Sequence, residues 1–582
     1  MNESGDIELK KIFLPLTYKK TFWIYVTIAL LVFFNMLFNK FVWDDRAFIE
    51  FNPDVLRIDI PYLLGANMFN NVDAGHYRFL PGLYLTIFHH IFWDKVFFYH
   101  IFHLGFHILN TYLIFYLFSK FIKKEMAFFV GLIFLIHPMQ VESVSYIASI
   151  DSSLFSILGI SSLVLNLTDK ISWKKILAIF SLIFLALLAK ETAFLFLLLI
   201  IFYRFLFLKH YRWLFVALGI VTFVPYLYIR LIYAGVWFSS ISLAPIARLE
   251  FTERLLNIPG VVFYYLKTFL WPMKLSIIQF WIMKKVDLMG FYLPLLGLLA
   301  FITVAVFFGI KLFQKNTKQF KLYVFFSTWL VVGVGLYSHL FHLDMTVSDR
   351  WFYFGMIGLL GLIGLVLNLY YPFILKNKQL FVISGIIIIS FFSIRTIVRN
   401  MDWKDPITLY SHDRQIYENY DLENNLGGEL NMIGRKDEAY PYFVKSVELF
   451  PHETNLFNLG MYYQSKGDLK KAEHYLQAAI DAPMYGQVPK PHKHQSLTYE
   501  KFAGVLLKTN PKKCLEITKM GIADYHEKSA QLWYTQALCF YKIGDNKNAL
   551  ESAKEAHRLQ PANYYTNLIY KALLEGKGIT VE

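Results

Sequence analysis

Cysteine and charged residues are scarce in this sequence, and each shortage excludes a class of protein. The 582 residues contain two cysteines, Cys514 and Cys539, too few for the disulfide framework of a small secreted domain. We expect both to be buried packing residues, which leaves the redox compartment open. Charged residues make up 17% of the chain and hydrophobic residues 56%, a balance that excludes an ordinary soluble fold of this length.

The N-terminal region has no small-residue cleavage site after its first apolar run, so we expect an uncleaved signal anchor. The net charge of +14 could indicate nucleic-acid binding. However, Lys and Arg occur mostly in short clusters between apolar runs, a pattern typical of membrane topology signals. We therefore expect membrane lipid and no nucleic acid among the partners.

Eleven apolar segments approach the roughly 20 residues that a helix needs to cross a bilayer. They are residues 22–37, 96–118, 126–147, 152–167, 176–189, 194–207, 213–233, 291–310, 322–340, 351–370 and 380–397. Residues 255–280 are also apolar but contain Pro259 and Pro272, so we expect an interfacial or re-entrant segment there. With the basic clusters inside, an odd number of spans places the C-terminal domain outside the cytoplasm.

Helical hairpins with a repeat near 34 residues begin close to Asn424. Small residues and prolines recur at matching positions of the units: Gly427, Ala439, Phe443 and Pro451; Gly460, Ala472, Leu476, Ala479 and Pro483; Trp533, Ala537, Ala549, Ala553, Ala556 and Pro561. With a degenerate unit at 498–521, about four tetratricopeptide repeats are predicted. The fold class is therefore all-α: a membrane helix bundle over 1–400, then a repeat solenoid over 401–582 that binds protein partners.

Asp44 and Asp45 follow the first span in the motif Trp43-Asp44-Asp45-Arg46. Adjacent carboxylates at a membrane surface can supply a general base, because each charge raises the pKa of its neighbour. The alternative is an aspartate helix cap.

His137, Glu142 and Asp151 lie within one apolar helix and its turn, where polar groups are costly unless they face water or partners. We expect them, together with Glu191 and Asp349, to shape a donor or acceptor pocket. In the alternative, Pro138 kinks the helix and His137 binds a freed carbonyl.

His100, His103 and His107 share one helix face. They predict buried hydrogen-bonding or acceptor-site residues more strongly than a metal site, since no cysteine or carboxylate accompanies them at ligand spacing.

Four cations lie on the predicted external side: Arg78, Lys190, Arg230 and Arg350. A lipid phosphate would account for them, because Arg offers a fork of donors and Lys a point charge. The alternative is internal pairing of Lys190 with Glu191 and of Asp349 with Arg350.

Together these motifs resemble the transmembrane and tetratricopeptide-repeat-containing O-mannosyltransferase-like family, within the GT-C class of polyprenol-phosphate-sugar glycosyltransferases. The resemblance runs from Trp43-Asp44-Asp45 to Asn400-Met401-Asp402-Trp403 and the repeats. It is most specific at His137-Pro138 with Glu142 and Asp151, at Lys190-Glu191, at Arg254 to Pro259 with Trp271-Pro272, and at Asp349-Arg350-Trp351-Phe352-Tyr353. It implies a catalytic carboxylate in the first external loop and a lipid-phosphate donor held by basic residues.

Four positions depart from the family pattern. Ser149 stands where the family usually has Arg, Tyr99 and His103 stand where it has Phe and Asn, and Asp349 stands where it has Glu. These differences leave the architecture intact and leave the sugar donor open.

The sequence thus predicts an inverting glycosyltransferase that moves a sugar such as mannose from polyprenyl phosphate to a hydroxyl, such as Ser or Thr of a protein, on the non-cytoplasmic side of a bacterial inner membrane. Asp44 or Asp45 would be the base, and Arg350 with Arg78, Lys190 or Arg230 would bind the phosphate. No cofactor is assigned, and a divalent cation stays open. The competing hypotheses are a non-enzymatic membrane scaffold and a transporter, although a transporter needs polar residues along its whole path.

Overall fold

The computed structural model describes residues 16–56, 58–65, 76–237, 244–283, 285–341, 343–482, 496–524 and 529–579. Within these ranges the regular secondary structure is helical, and the only β pairing is an isolated antiparallel bridge between Gln279 and Val347. The predicted all-α class is therefore confirmed. The chain divides into two compact units, Met1–Tyr417 and Glu418–Glu582.

Helices account for most of the described part of the first unit. They are α1 (Tyr18–Phe33), α2 (Ile60–Gly65), α3 (Phe79–Phe92), α4 (Val96–Phe118), α5 (Lys124–Ile136), α6 (Val141–Ser145), α7 (Ile150–Leu165), α8 (Trp173–Ala189), α9 (Phe194–Phe207), α10 (Arg212–Tyr228), α11 (Phe251–Leu270), α12 (Leu293–Lys315), α13 (Thr317–Gly335), α14 (Phe352–Leu369), α15 (Tyr371–Lys376), α16 (Lys378–Asp402) and α17 (Pro406–Ile416). Short 3-10 or π turns extend several of them, including Phe34–Phe38 after α1 and Ile229–Tyr233 after α10.

Seven helical segments among the described residues are long and apolar enough to cross a membrane. They are Tyr18–Phe38, Val96–Phe118, Ile147–Leu165, Arg212–Tyr233, Leu288–Lys315, Asp349–Leu369 and Lys378–Asp402. The pair Lys124–Ile136 and Pro138–Ser145, bent by 53°, would make an eighth. These helices are consistent with insertion into a membrane.

The count is lower than the eleven predicted spans, although each predicted segment overlaps at least one helix. Three predicted spans are neither among the seven nor in the bent pair. Two of these three lie in short helices, since α8 has 17 residues and α9 has 14. The third, α13, has 19 residues but carries Lys318 and Lys321 near its start. Apolar composition predicts where a helix forms, whereas its length depends on where the chain turns.

Residues 255–280 are helical up to Leu270, and their interfacial or re-entrant placement stays a prediction. Pro259 does not break the helix but lies inside α11, which runs for 20 residues, and Pro272 follows its end. A proline removes one backbone hydrogen bond without forcing the helix to end when the surrounding packing supports it.

The bend after α5 places the site residues. Pro138 disfavours helical conformation in the residue before it, and His137 is extended, with φ −68° and ψ 130°. Nδ1 of His137 accepts a hydrogen bond from the backbone N–H of Met139 and so caps the next turn. The chain then forms the five-residue α6 and becomes extended again at Tyr146, which brings Glu142 and Tyr146 to one end of the helices.

The second unit is a series of antiparallel helix hairpins. Its described helices are α18 (Tyr420–Met432), α19 (Lys436–Leu449), α20 (Glu453–Ser465), α21 (Leu469–Asp481), α22 (Ser496–Thr509), α23 (Pro511–Asp524), α24 (Ala530–Lys542), α25 (Asn546–Leu559) and α26 (Tyr564–Leu574). Gly427 and Gly460 allow the paired helices to approach, because a Cβ at either would lie 2.8 Å from the side chain of Phe443 or Leu476. The expected four hairpins are present; Pro483 lies outside the described residues.

Two further features concern the first unit's end and the two cysteines. The first unit extends to Tyr417, and α17 is attached to it: Asp413 of α17 binds both Arg399 of α16 and the backbone N–H of Ile277. Within the second unit, Cys514 of α23 and Cys539 of α24 are buried as expected but also form a disulfide, with a Cα–Cα distance of 6.3 Å.

Candidate functional site

The turn after the first helix is built around Trp43. Its backbone has φ +53°, in the left-handed region that non-glycine residues rarely adopt. The indole stacks on the ring of Tyr146 with a centroid distance of 4.9 Å. Backbone strain of this kind persists where tertiary contacts fix the residue, and it is common at functional sites.

Asp45 is bound to the backbone of two turns. It is fully buried, and its two oxygens accept hydrogen bonds from the backbone N–H groups of Ala148 (2.7 Å) and Val42 (3.2 Å). Burial raises its pKa to about 8, although these hydrogen bonds act in the opposite direction. The side chain of Asp45 therefore caps none of the described helices, contrary to the capping alternative; it ties the turn after α1 to the turn before α7.

Asp44 is the more accessible of the two carboxylates. It is partly exposed, and its Oδ2 accepts a hydrogen bond of 2.8 Å from the hydroxyl of Tyr146. Burial raises the pKa of Asp44, the Tyr146 hydrogen bond and the Arg350 charge lower it, and Asp344 raises it further. Among the described residues no group donates to its Oδ1, so this oxygen can accept a proton.

Arg350 is held against Glu142 and two aromatic rings. The carboxylate of Glu142 accepts three hydrogen bonds: from Nη1 of Arg350, from the backbone N–H of Arg350 (3.2 Å) and from Oγ of Ser348 (2.7 Å). The guanidinium carbon lies 5.1 Å from the ring centre of Trp43 and 5.6 Å from that of Tyr146. In the described part of the chain, Nε and Nη2 of Arg350 have no hydrogen-bond partner and can donate to an anion.

Asp349 is hydrogen-bonded to Tyr264. Its Oδ1 accepts a 2.7 Å hydrogen bond from the hydroxyl of Tyr264, which in turn accepts one from Nε2 of Gln279. The alternative of an Asp349–Arg350 pair is wrong, since Glu142 is the partner of Arg350.

A second ionic cluster gathers Arg78, Lys190, Arg230, Asp151 and Glu191. Asp151 binds Nε of Arg78 at 3.1 Å and Nζ of Lys190 at 3.2 Å. Glu191 binds the other two guanidinium nitrogens of Arg78 and lies 3.9 Å from Nη1 of Arg230. Lys190 therefore pairs with Asp151, not with Glu191 as the pairing alternative had it.

The charged groups of this cluster change one another's pKa values. Burial would raise the pKa of Glu191, but Arg78, His76 and Arg230 hold it well below its usual value. The pKa of Lys190 is lowered by burial, with Asp151 opposing and Arg78 and Arg350 acting in the same direction as burial. The influence of Arg350 on Lys190 indicates that the two clusters are electrostatic neighbours.

The predicted histidines lie inside the helix packing. His107 bridges the hydroxyl of Tyr353 (3.2 Å) and the carbonyl of Leu135 (3.0 Å), while His137 bonds the carbonyl of Phe269 (2.9 Å) and stacks on its ring. His100 and His103 are also buried, close to the backbone of Asn39 and Val144. The described residues contain no group of three or more His, Cys, Asp or Glu side chains placed to hold a metal ion.

Sequence reasoning missed two features of the site. Tyr146 received no role, although it contacts Asp44, Trp43 and Arg350; an isolated tyrosine in an apolar stretch carries no distinguishing signal. The bidentate pair of Arg399 and Asp413, at 2.6 and 2.9 Å, was also missed because its members lie on different helices.

Comparisons with known proteins bear on the second unit. Residues 454–483 match the tetratricopeptide repeat family. No curated protein matches the sequence. The crystal structure of YrrB, "a TPR protein with an unusual peptide-binding site", aligns with 28% of this chain and 81% of its own, at 15% identity and a TM-score of 0.25.

The crystal structure of the APC/C hetero-tetramer Cut9-Hcn1 aligns with 85% of this chain and 89% of its own, at 14% identity and a TM-score of 0.26. Both scores are too low to carry an argument about the fold. The family match and the helix hairpins instead establish that the C-terminal unit contains tetratricopeptide repeats.

Proposed function

We propose that this protein is an inverting membrane glycosyltransferase that moves a sugar such as mannose from a polyprenyl-phosphate carrier to a hydroxyl acceptor. The observation that carries the proposal is the meeting of a partly exposed carboxylate, Asp44, with a cation that keeps free donors, Arg350, at the ring of Tyr146. A general base and an anion-binding group are the two components that this transfer needs.

The chemistry follows from these two groups. The acceptor oxygen attacks the anomeric carbon, Asp44 takes the hydroxyl proton, and the bond from the anomeric carbon to the phosphate oxygen breaks with its electron pair on the phosphate. Arg350 would stabilise the added charge on the departing polyprenyl phosphate through Nε and Nη2. General-base assistance is worth about 10²–10⁴ in rate, and stabilisation of the leaving group contributes comparably.

The four predicted phosphate-binding cations then divide by role. Arg78 and Lys190 already contact Asp151 and Glu191, and Arg230 contacts Glu191, Tyr226 and the carbonyl of Val236. We assign Arg78 and Lys190 to the framework of the site and Arg350 to the phosphate, with Arg230 as a second contact. Because this cluster holds three cations and two carboxylates, it keeps a net positive charge that favours an anionic donor.

The disulfide supports the proposed location outside the cytoplasm. Disulfides form and persist in oxidising compartments and are rare in the cytosol. A buried Cys514–Cys539 bond therefore fits a second unit that folds in the periplasm or at the cell exterior. The long apolar helices are consistent with a membrane protein, and a polyprenyl-phosphate carrier also stays in the membrane because its polyprenyl chain is apolar.

The repeats support a protein acceptor. Stacked helix hairpins form extended surfaces for peptides and proteins, and binding energy far from the reacting atoms can be used to position the acceptor hydroxyl. The competing function is a scaffold that recruits partners through the same repeats. It accounts for the second unit but gives no role to Asp44 and Arg350.

The test uses purified full-length protein in lipid nanodiscs with labelled polyprenyl-phosphate sugars and an envelope protein fraction as acceptor. Wild type should transfer label, and Asp44→Asn should lower the rate by about 10²–10⁴. Asp169→Asn is the matched control, because Asp169 follows the opposite end of α7 and pairs with His210. Full transfer by Asp44→Asn would overturn the assignment of the base.

A binding measurement separates the enzyme from the scaffold. Polyprenyl phosphate should bind the wild-type protein, and Arg350→Ala should weaken that binding more than tenfold. If neither protein binds the lipid and wild type transfers none of the sugars, the scaffold hypothesis is favoured.

A further inference from the structure

We propose that Tyr146 is a positioning residue that couples the base to the phosphate-binding cation. Its hydroxyl orients the Asp44 carboxylate, and its ring, stacked on Trp43, supports the Arg350 guanidinium. For catalysis this inference rests on the proposed function, but the contact between Tyr146 and Asp44 can be measured without any turnover.

The ring of Tyr146 is fixed from several sides. The residue is 4% exposed, stacks on Trp43 and lies 6.1 Å from the ring of Trp403 at the end of α16. Two residues further along the chain, the backbone N–H of Ala148 donates to Asp45. The extended turn that carries Tyr146 is thus attached to the turn that carries Asp44 by two hydrogen bonds and a ring contact.

The hydroxyl also affects the charge state of Asp44. The charged and titratable groups that face this carboxylate are Tyr146, Arg350, Asp344 and Asp45. Burial and Asp344 favour the protonated acid, whereas the Tyr146 hydrogen bond and Arg350 favour the carboxylate. Removing the hydroxyl while keeping the ring leaves burial opposed by Arg350 alone, so Asp44 would ionise only at higher pH.

The same side chain also affects Arg350. A cation over an aromatic face gains electrostatic energy from the ring, and two such faces together with Glu142 hold the guanidinium in one place. Tyr146→Phe keeps the ring and should leave Arg350 in position. Tyr146→Leu removes it and should loosen the guanidinium as well.

The first experiment reads the ionisation of Asp44 directly. A hydrophobic carbodiimide modifies protonated carboxyl groups, and mass spectrometry of the purified protein across a pH series gives the midpoint for Asp44. We expect Tyr146→Phe to move this midpoint upward by about one pH unit, since a hydrogen bond to a charged group is lost. An unchanged midpoint would overturn the proposal even if the enzyme is active.

A second substitution guards against misfolding of Tyr146→Phe. Replacing Tyr146 by 3,5-difluorotyrosine keeps both ring and hydroxyl and makes the hydroxyl a stronger donor, so the midpoint should move downward. Tyr323→Phe is the matched control, because the Tyr323 hydroxyl bonds the carbonyl of Ala305 on a neighbouring helix, and it should leave the Asp44 midpoint unchanged.

The kinetic experiment extends the test to turnover. Tyr146→Phe should shift the acid limb of the kcat profile to higher pH and leave the KM for the lipid donor within twofold, whereas Tyr146→Leu should raise that KM as well. An unshifted acid limb in an active Tyr146→Phe variant contradicts the positioning role of Tyr146 and leaves the proposed glycosyltransferase function standing. Absence of transfer by wild type contradicts the proposed function. The carbodiimide midpoint would then still show whether the Tyr146 hydroxyl affects the ionisation of Asp44.

Discussion

Asp44 and Arg350 meet at one aromatic ring: the Tyr146 hydroxyl donates to Asp44 at 2.8 Å, and the Arg350 guanidinium lies 5.6 Å from the centre of the same ring. The two residues come from the turn after the first helix and the turn before α14. One tyrosine thus contacts both a carboxylate and a cation. Five predictions follow from this arrangement and from the surrounding fold.

The two adjacent aspartates should differ in what they contribute. Asp44→Asn should lower the transfer rate by about 10²–10⁴ with little change in the melting temperature, because Asp44 is partly exposed. Asp45→Asn should lower stability by about 1–3 kcal/mol, since an amide cannot accept both the Val42 and Ala148 N–H groups. Thermal unfolding in nanodiscs beside the transfer assay would measure both. Equal melting temperatures for the two variants would contradict the structural role of Asp45.

Arg78 should be essential to the fold around the second ionic cluster. Arg78→Ala leaves Asp151 and Glu191 without their shared partner, and removing one member of a buried ion pair costs about 3–5 kcal/mol. Thermal unfolding should therefore show a large loss. Arg435→Ala is the control, because its pair with Glu438 is exposed to solvent and should leave the melting temperature unchanged. A similar small change for Arg78→Ala would show that the cluster is not structural.

Stability should fall in acid because of Glu191. Its pKa in the folded protein is well below its usual value of 4.5, despite the opposing effect of burial, because Arg78, His76 and Arg230 favour the carboxylate. The stability it contributes is present above pH 4.5 and is lost as the pH falls towards the lower folded value. Melting temperatures from pH 6 to pH 3 should decline less steeply for Glu191→Gln than for wild type. Parallel curves would exclude this ionic contribution.

The cysteines should be oxidised in the cell. Trapping with a polyethylene-glycol maleimide after denaturation should add nothing to the unreduced protein and two labels after reduction, because Cys514 and Cys539 are the only cysteines. Loss of the bond in Cys514→Ser should cost about 2–4 kcal/mol in the second unit. Full labelling without reductant would place these residues in a reducing compartment and remove one support for the exterior location.

Glycine should be required where α13 crosses α14. A Cβ on Gly358 would lie 2.5 Å from the backbone nitrogen of Leu330, and a backbone atom cannot move aside as a side chain can. Gly358→Ala should therefore destabilise the protein by about 1–3 kcal/mol. Gly105→Ala is the matched control, since nothing lies within 4 Å of its added carbon and alanine favours a helix. Equal melting temperatures for the two variants would show that the crossing tolerates a side chain.

Local sequence patterns predicted the elements of this protein. Apolar runs gave the positions of the long helices, and the 34-residue spacing of small residues gave the hairpins, three of which turn at a glycine with positive φ: Gly434, Gly467 and Gly544. Both signals depend on neighbours within a few turns of one helix. The same reasoning overestimated the number of helices long enough to cross a membrane. The length of a helix depends on where the chain turns, and a run of apolar residues does not define those turns.

The pairing of charged groups was decided only by the tertiary structure. The sequence brought Asp44, Glu142, Arg78 and Arg350 forward as site residues but could not say that Glu142 binds Arg350, that Lys190 binds Asp151, or that Asp45 rather than Asp44 binds the backbone. Residues adjacent in the chain suggested the wrong partners in both expected pairs. Helix packing selects the partners, because a buried charge binds whichever opposite charge the crossing helices bring within reach, whatever its distance along the chain.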